Sequence, residues 1–210
     1  MSERILILAP HTDDAEWGCG ASISKWIRTK NEVHQVAFSA AEESVPRGLD
    51  PNITRQEFLS ANKILGVPEE NTTVLDYPVR QFPSLRQDIL EDMTKLREKI
   101  QPSLVICPSS FDTHQDHKTI YEETFRAFKK CSILGFEMPW NNSAIRVDYY
   151  NSVEREDVDK KIASINAYKS QVFRVPRFSE LISSLALLRG AQVSRESAEA
   201  FETIRIIRDN

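Results

Sequence analysis

The chain has 210 residues, of which 40% are hydrophobic and 28% are charged, and its formal net charge is −4. This balance is typical of an ordinary globular domain and excludes disordered, collagen-like and membrane-spanning classes. Lys and Arg are scattered along the chain without an excess that would neutralise a phosphate backbone, so we expect a small polar ligand and no nucleic-acid partner.

The N-terminal segment begins with a short apolar run, residues 5–9, which Pro10 ends at once. This run is too short for a signal peptide, and the chain has no apolar segment near the ~20 residues that a membrane span needs. The cysteines, Cys19, Cys107 and Cys131, form no Cys-x-x-Cys pair, so neither a disulfide framework nor a thiolate zinc site is expected. We therefore expect a cytoplasmic protein.

Apolar runs alternate with helical patterns over the first half of the chain. The runs lie at 5–9, 33–39 and 104–107 and read as strands that are buried on both faces of a parallel sheet. A further strand is predicted at 71–75, between the second and third helices. One helix follows the first strand, a second ends at Gly66, and a capping-box pattern at Ser84 predicts a third that reaches about Lys99.

This βαβ alternation predicts an α/β, Rossmann-like, three-layer fold with a mostly parallel sheet and right-handed crossovers. The usual strand order of such a sheet is 3-2-1-4, which makes the first and fourth strands neighbours. Ligands bind at the carboxyl ends of neighbouring strands at this point. We therefore expect the loops after Ala9 and Cys107 to meet.

The rest of the chain is predicted to hold a strand at 144–153, helices at 157–168 and 178–189, and a final strand at 203–207. No repeat, low-complexity tract or linker marks a second domain. We expect one domain over residues 1–210, with a Rossmann-like core at 1–132 and a C-terminal extension at 133–210.

The loop after the first strand, PHTDDAEWGCG at 10–20, contains one imidazole and three carboxylates within six residues. Acidic residues in the first turn of a helix complement its dipole, which is a sufficient explanation for Asp13 or Glu16 alone. It does not explain an imidazole beside two adjacent carboxylates. The loop after the fourth strand, PSSFDTHQDH at 108–117, holds two more histidines and an acid within four residues.

Histidine nitrogen with carboxylate oxygen is a ligand set that suits zinc, although iron, cobalt or nickel could also occupy it. Two histidines and one carboxylate would leave a fourth position open for water, as in catalytic zinc sites. A further carboxylate and histidine would then be free for proton transfer and oxyanion stabilisation. His34, which lies in the second strand, is interpreted as a structural residue.

The two loops resemble the motifs of the LmbE/PIG-L zinc-dependent N-deacetylases, Pro-His-Pro-Asp-Asp and His-x-x-His. Here they read PHTDD at 10–14 and HQDH at 114–117, and Thr12 stands where proline is usual, at a position that supplies no ligand. Further matches extend the resemblance over nearly the whole chain: RQE at 55–57, Ala61, LG at 65–66, SQ at 170–171, RG at 189–190 and AEAF at 198–201.

The resemblance implies an enzyme that removes an N-acetyl group by zinc-activated water. Its motifs make His11, Asp14 and His117 the zinc ligands and Asp13 the general base. The implied substrate is a small molecule or glycoconjugate that bears an N-acetylated amino sugar. The family also suggests a homo-oligomer.

The same resemblance gives roles to four further side chains. His114 would stabilise the oxyanion, and Asp116 would orient or charge His114 through a carboxylate–imidazole hydrogen bond. Arg55 and Asp76 would bind hydroxyl groups of the sugar.

Two alternatives remain from the sequence. Gly18-Cys19-Gly20 invites a dinucleotide-binding interpretation, but Ile23 stands where a third small residue is needed, and His11 to Glu16 separate the glycines from the strand. A non-catalytic member of the family that binds only metal or sugar is the other alternative, against which the intact Asp13 and His114 argue.

Overall fold

The computed structural model describes residues 2–171 and 175–208. Within them the strands form a seven-stranded sheet in the order β3-β2-β1-β4-β5-β7-β6. The first five strands run parallel, while β7 pairs antiparallel with both β5 and β6. The strands are β1 (Arg4–His11), β2 (Glu32–Ser39), β3 (Thr72–Val74), β4 (Leu104–Pro108), β5 (Ser132–Phe136), β6 (Tyr149–Val153) and β7 (Ser197–Arg205).

Helices cover both faces of this sheet. They are α1 (Asp14–Arg28), α2 (Ile53–Leu65), α3 (Arg86–Ile100), α4 (Gln115–Ala127), α5 (Arg155–Ile165) and α6 (Phe178–Gln192). Short 3₁₀ turns lie at Glu42–Ser44, Glu69–Asn71 and Phe82–Ser84. Across the described ranges, no helix combines the length and the apolar character that a membrane crossing requires.

The central strand β1 shows why the fold has three layers. Its side chains point alternately to the two faces of the sheet. Ile5 and Ile7 belong to the core cluster that includes Ile23 of α1, whereas Leu6 and Leu8 belong to the cluster that includes residues of α3 and α4. Both faces of β1 are therefore buried, and the predicted three-layer α/β fold is confirmed.

The predicted strand order is also confirmed. β1 pairs with β2 on one side and with β4 on the other, with Ile5 opposite Leu104 and Ile7 opposite Ile106. The carboxyl ends of β1 and β4 consequently lie at the same edge of the sheet. This arrangement brings the two motif-bearing loops together.

The start of α3 differs from the prediction. Residues 82–84 form a 3₁₀ turn, and α3 begins at Arg86 after Leu85, whose side chain makes no capping hydrogen bond. The predicted capping box at Ser84 is wrong, because the Ser84 hydroxyl donates to the carbonyl of Gln81 and so belongs to the turn.

The C-terminal part was predicted less well. β5 was not predicted, β6 begins at Tyr149, and β7 covers Ser197–Arg205 rather than 203–207. Charged residues concealed β7, because Glu199 and Glu202 are buried on it and hydrogen bond to Lys161 and Ser109. The helices predicted at 157–168 and 178–189 correspond to α5 and α6. The boundary at 132/133 stays a prediction.

An ion pair between the buried Asp157 and the half-buried Arg28 joins α5 to α1. Asp157 is buried, and its carboxylate accepts hydrogen bonds from the Ser24 hydroxyl and from Nη2 of Arg28, both at 2.8 Å. Burial alone would raise the pKa of Asp157. Hydrogen bonds from the Arg28 guanidinium, the backbone amide of Glu154 and the Ser24 hydroxyl instead lower this pKa below its usual value. The carboxylate therefore stabilises the packing of α5 in its charged form.

We expect Asp157→Asn to lower the free energy of unfolding at pH 7 by about 1–3 kcal/mol, since the charge of the buried carboxylate and one of its two acceptor oxygens are lost. The folded-state pKa lies below the unfolded value of about 3.9, so this stabilisation is present above pH ~4 and is lost as the pH falls through the folded-state pKa. Urea unfolding at pH 7 and pH 3 measures the difference, which should shrink at pH 3.

The matched control is Asp159→Asn on the same helix. Asp159 is exposed and pairs with Arg155 at 2.9 Å, so its replacement should change stability by no more than about 0.5 kcal/mol. A loss for Asp157→Asn that is equally small, or that does not depend on pH, would contradict the assigned ion pair.

Candidate metal centre

The two motif loops meet because their strands are neighbours. His11 is the last residue of β1, and Asp14 is the first residue of α1. The loop after β4 leads through His114, the N-cap of α4, to His117 in the first turn of that helix. The imidazole centroids of His11 and His117 lie 5.4 Å apart, and those of His11 and His114 lie 5.2 Å apart.

His11, Asp14 and His117 form a compact group of possible metal ligands. Oδ2 of Asp14 lies 3.0 Å from Nδ1 of His11 and 3.2 Å from Nε2 of His117. The ligand atoms of the three residues all lie within 4.8 Å of one another. Ligand atoms around a tetrahedral zinc ion at ~2.0–2.1 Å are about 3.3 Å apart. The donor set and its spacing therefore fit a zinc-sized ion.

A second group, His11, His114 and Asp116, also satisfies this distance limit. However, its donors are engaged in backbone hydrogen bonds. The carboxylate of Asp116 accepts from the amides of Arg80 at 2.6 Å and Phe82 at 3.3 Å, and Nδ1 of His114 accepts from the amide of Asp116. The first group is thus the better candidate for the metal ligands.

Two further carboxylates fix the orientation of the two histidines in the candidate ligand group. Oδ2 of Asp112 lies 2.7 Å from Nδ1 of His117, and Oδ2 of Asp116 lies 3.0 Å from Nε2 of His11. Carboxylates commonly hold the second ring nitrogen of metal-binding histidines in this way. Sequence reasoning did not assign Asp112 a role, although it lies in the same loop, five residues before His117.

The expected hydrogen bond between the side chains of Asp116 and His114 is not formed, so this prediction is wrong. Asp116 lies in the first turn of α4, and its carboxylate is directed to His11 and to the segment that contains Arg80. Only the backbone amide of Asp116 contacts the imidazole of His114, at 3.2 Å. Asp116 therefore orients His11 and not His114.

His114 is half-buried and borders a cleft at the ligand group. Because its Nδ1 accepts a hydrogen bond, its Nε2 carries the proton of the neutral ring and can donate. Burial lowers the pKa of His114, and the nearby His117 and His11 lower it further. The structure therefore supports a neutral donor at this position, in contrast to the expected imidazolium.

The carboxylate of Asp14 and the imidazoles of His11 and His117 stabilise one another in their charged forms. Burial alone would lower the pKa values of His11 and His117, but Asp14, together with Asp116 or Asp112, raises them to about 9 and about 10. Burial alone would raise the pKa of Asp14, but the two histidines hold it well below its usual range. A metal ion would replace the protons of the histidines and pair with the same carboxylate.

Asp13 lies between two clefts at this centre. It is half-buried at the N-cap of α1. The first cleft, of about 250 Å³, is bordered by His11, Asp13, Arg80 and His114. The second, of about 520 Å³, is bordered by Asp13 and Asp14. The predicted general base is therefore placed next to the ligand group and open to both clefts.

Arg55 and Asp76 lie in an adjacent cleft and not in either of these two. Its volume is about 180 Å³, and it shares Ala41 and Val79 with the first cleft. Arg55 forms ion pairs with Asp76 and with Glu42. The structure thus places the two predicted sugar-binding residues together, one cleft away from the ligand group.

Buried polar side chains lie beneath the loop at 10–20 and hydrogen bond to it. Glu16 lies in the first turn of α1 and is fully buried, and its Oε1 accepts a hydrogen bond from the Gln35 side-chain amide at 3.1 Å. Burial raises the pKa of Glu16 to about 8. The Tyr168 hydroxyl donates to the carbonyl of Thr12 at 2.6 Å, a contact that sequence reasoning missed.

The dinucleotide-binding alternative is not supported by the glycine positions. Gly18 and Gly20 lie within α1 and not in a loop before it. A Cβ on Gly18 would lie 2.4 Å from Phe136, so this glycine allows α1 to pack closely on β5.

We expect Asp112→Asn to lower zinc affinity about 10- to 100-fold, because it removes the carboxylate that orients His117. Competition with a chromophoric chelator measures the change. Asp88→Asn, at an exposed position of α3, is the control and should leave the affinity unchanged. Equal affinities in the two variants would show that Asp112 does not support a ligand.

Several known proteins are similar to this chain. The family model described as PIG-L: GlcNAc-PI de-N-acetylase matches residues 6–128, more than half of the chain. The uncharacterized deacetylase YaiS of Escherichia coli (strain K12) is 30% identical in an alignment of 173 positions that covers 79% of this chain and 90% of that protein.

Solved structures show the same fold. The N,N'-diacetylchitobiose deacetylase of Pyrococcus horikoshii, in complex with an inhibitor, has a TM-score of 0.82 and 19% identity, over 97% of this chain and 84% of that chain. GalB, the 4-carboxy-2-hydroxymuconate hydratase of Pseudomonas putida KT2440, has a TM-score of 0.78 and 20% identity, over 99% of each chain.

Proposed function

The chain belongs to the PIG-L family, and we propose that it is a zinc-dependent N-deacetylase that hydrolyses the acetamide of an N-acetylated amino sugar or glycoconjugate. The observation that carries this proposal is the convergence of His11, Asp14 and His117 on one point. Asp13 and His114, the two side chains assigned to proton transfer and oxyanion stabilisation, lie beside that point.

His11, Asp14 and His117 would hold the metal ion. When bound there, such an ion lowers the pKa of a coordinated water and polarises a carbonyl group. Other divalent transition metals suit the same donors. The side chains around the ligands then have two tasks, which are to move the proton of the water and to stabilise the charge that forms on the carbonyl oxygen.

Asp13 is assigned as the general base. It accepts a proton from the attacking water while the water oxygen forms a bond to the acetamide carbon. The carbon–nitrogen bond then breaks, and the proton on Asp13 passes to the departing nitrogen. The products are acetate and a free amine, and no bond between protein and substrate is formed.

His114 is assigned as the oxyanion donor. Its Nε2–H would donate to the carbonyl oxygen as that atom becomes negative. The hydrogen bond from the Asp116 amide to Nδ1 fixes the tautomer that this role requires.

We also propose that the chain forms a homo-oligomer, and light scattering of the purified chain tests this.

The direct test is a fluorescamine assay for amines released from N-acetylglucosamine, N,N'-diacetylchitobiose and nucleotide sugars that bear an N-acetyl group. We expect activity that a chelator removes and Zn²⁺ restores. Asp13→Asn should retain the metal and lose about 10²- to 10⁴-fold in rate, as expected for a general base.

Asp14→Asn is the matched variant and should lose the metal, because it removes a ligand. Metal retained in Asp14→Asn but lost in Asp13→Asn would exchange the two roles. A metal-loaded chain that binds these sugars without releasing amine would instead support the non-catalytic alternative.

We expect His114→Ala to lower turnover by about 10²-fold or more, while metal content and KM stay nearly unchanged. The physical reason is the loss of a donor that acts only on the developing oxyanion. His34→Ala is the control, since His34 lies on β2 and contacts Glu32 at 2.8 Å. Normal turnover in metal-loaded His114→Ala would refute the role.

A further inference from the structure

The second cleft at the metal centre differs in character from the first. Asp13 and Asp14 lie at one end, where the metal ligands are. Apart from these two and Gln171, the lining residues among those that the structure describes are apolar: Trp17, Met138, Trp140, Val175 and Pro176. Its volume of about 520 Å³ lies within the range of roughly 300–1,000 Å³ that is common for small-molecule sites.

Two tryptophans form the wall of this cleft. The rings of Trp17 and Trp140 lie edge to face, with centroids 5.1 Å apart, and Trp17 makes a second edge-to-face contact with Phe178. Trp140 remains 48% exposed despite this packing. A large aromatic ring that is fixed by a neighbour but open to solvent presents apolar area that a ligand can cover at little cost in side-chain entropy.

The apolar lining continues away from the metal centre. Trp17 and Trp140 also border a narrow groove whose other side includes Leu181 and Leu185 of α6. Charged side chains line this groove as well, but they are paired. Nζ of Lys161 contacts Glu199 at 2.6 Å, and Nη2 of Arg189 contacts Glu137 at 2.6 Å. Because these charges are already paired, a ligand in the groove would be held mainly by apolar contacts with the tryptophan rings and the leucines.

The first cleft has the opposite character. Thr54, Arg80 and His114 are among its lining residues, and it adjoins the cleft of Arg55 and Asp76. The two clefts share Asp13 and Gln171. A substrate whose amide lies at Asp13 can therefore extend a hydroxylated part into the first cleft and an apolar part along the tryptophan wall.

We propose that the cleft walled by Trp17 and Trp140 binds an alkyl or aryl group of the substrate, so that the substrate is an N-acylated amino sugar with an apolar arm. This inference rests on the proposed deacetylase function and specifies its substrate class. The apolar arm can be the aglycone or an acyl chain longer than acetyl, and both present the same chemistry to the wall.

The experiment compares three substrates that differ only in the arm. They are the methyl β-glycoside of N-acetylglucosamine, its hexyl β-glycoside, and the methyl β-glycoside of N-hexanoylglucosamine. A hexyl chain is short enough to avoid micelles at assay concentrations. Amine release gives kcat and KM for each substrate with the metal-loaded protein.

We expect at least one of the two substrates with a six-carbon arm to have a kcat/KM about tenfold or more above that of the methyl N-acetyl glycoside. The increase should come from a lower KM, with kcat nearly unchanged. The compound that gains identifies the arm as aglycone or acyl chain. If neither compound gains while the methyl glycoside is hydrolysed, the deacetylase function stands and the apolar-arm proposal is overturned.

Trp140→Ala should reduce this gain at least about fivefold, because the wall loses its exposed ring. Phe125→Ala is the matched control, since Phe125 is an aromatic residue with 47% exposure on α4, where it stacks with Arg205. The control should keep the full gain. A gain that survives in Trp140→Ala, or that is lost equally in Phe125→Ala, would contradict the assignment of the wall.

Tryptophan fluorescence provides a second measurement that does not depend on turnover. At least one of the two compounds with a six-carbon arm should bind with a Kd about tenfold below that of the methyl N-acetyl glycoside, and Trp140→Ala should reduce this difference at least about fivefold. If no substrate releases amine, the deacetylase function fails, but this difference still supports the apolar site. Equal Kd values for the two glycosides, together with equal values for the N-hexanoyl compound, would overturn it.

Discussion

The arrangement of the site depends on the Asp14 carboxylate, which lies between the imidazoles of His11 and His117. A carboxylate that is removed from water is costly unless it is paired. Here the pairing residues belong to two segments that are about 100 residues apart in sequence and that follow neighbouring strands. Charge compensation in the site therefore requires the strand order of the sheet, and the same order positions the residues of the proposed reaction.

Asp116 extends this constraint to a third segment. Its carboxylate contacts His11 and accepts hydrogen bonds from the backbone amides of Arg80 and Phe82. Arg80 has a φ of 68°, a left-handed conformation that costs a non-glycine residue about 1–2 kcal/mol. A hydrogen bond to a charged acceptor contributes about 1.5–3 kcal/mol, which is enough to offset that cost. The carboxylate that contacts His11 thus also fixes the backbone that borders the first cleft.

The sequence was sufficient for features that depend on local patterns. Apolar runs identified β1, β2 and β4, and the βαβ alternation gave their order, which placed His11 and His117 near each other. The partners of the imidazoles could not be predicted in this way. Whether Asp112 or Asp116 faces a given ring depends on where α4 begins. The buried Glu202 on β7 was missed because its partner, Ser109, is remote in sequence.

The residues proposed to carry out the reaction and the residues proposed to select the substrate lie in different parts of the two clefts. The fold alone does not determine the reaction, because one scaffold can carry unrelated sites. Asp13 is common to both clefts, so any substrate that reaches it meets the same proposed base and the same candidate ligand group. Of these two clefts, His114 and Arg80 border the first, and Trp140 borders the second. Substitutions on the tryptophan wall can therefore change which molecules bind, while the carboxylate–imidazole network that supports the reaction remains intact.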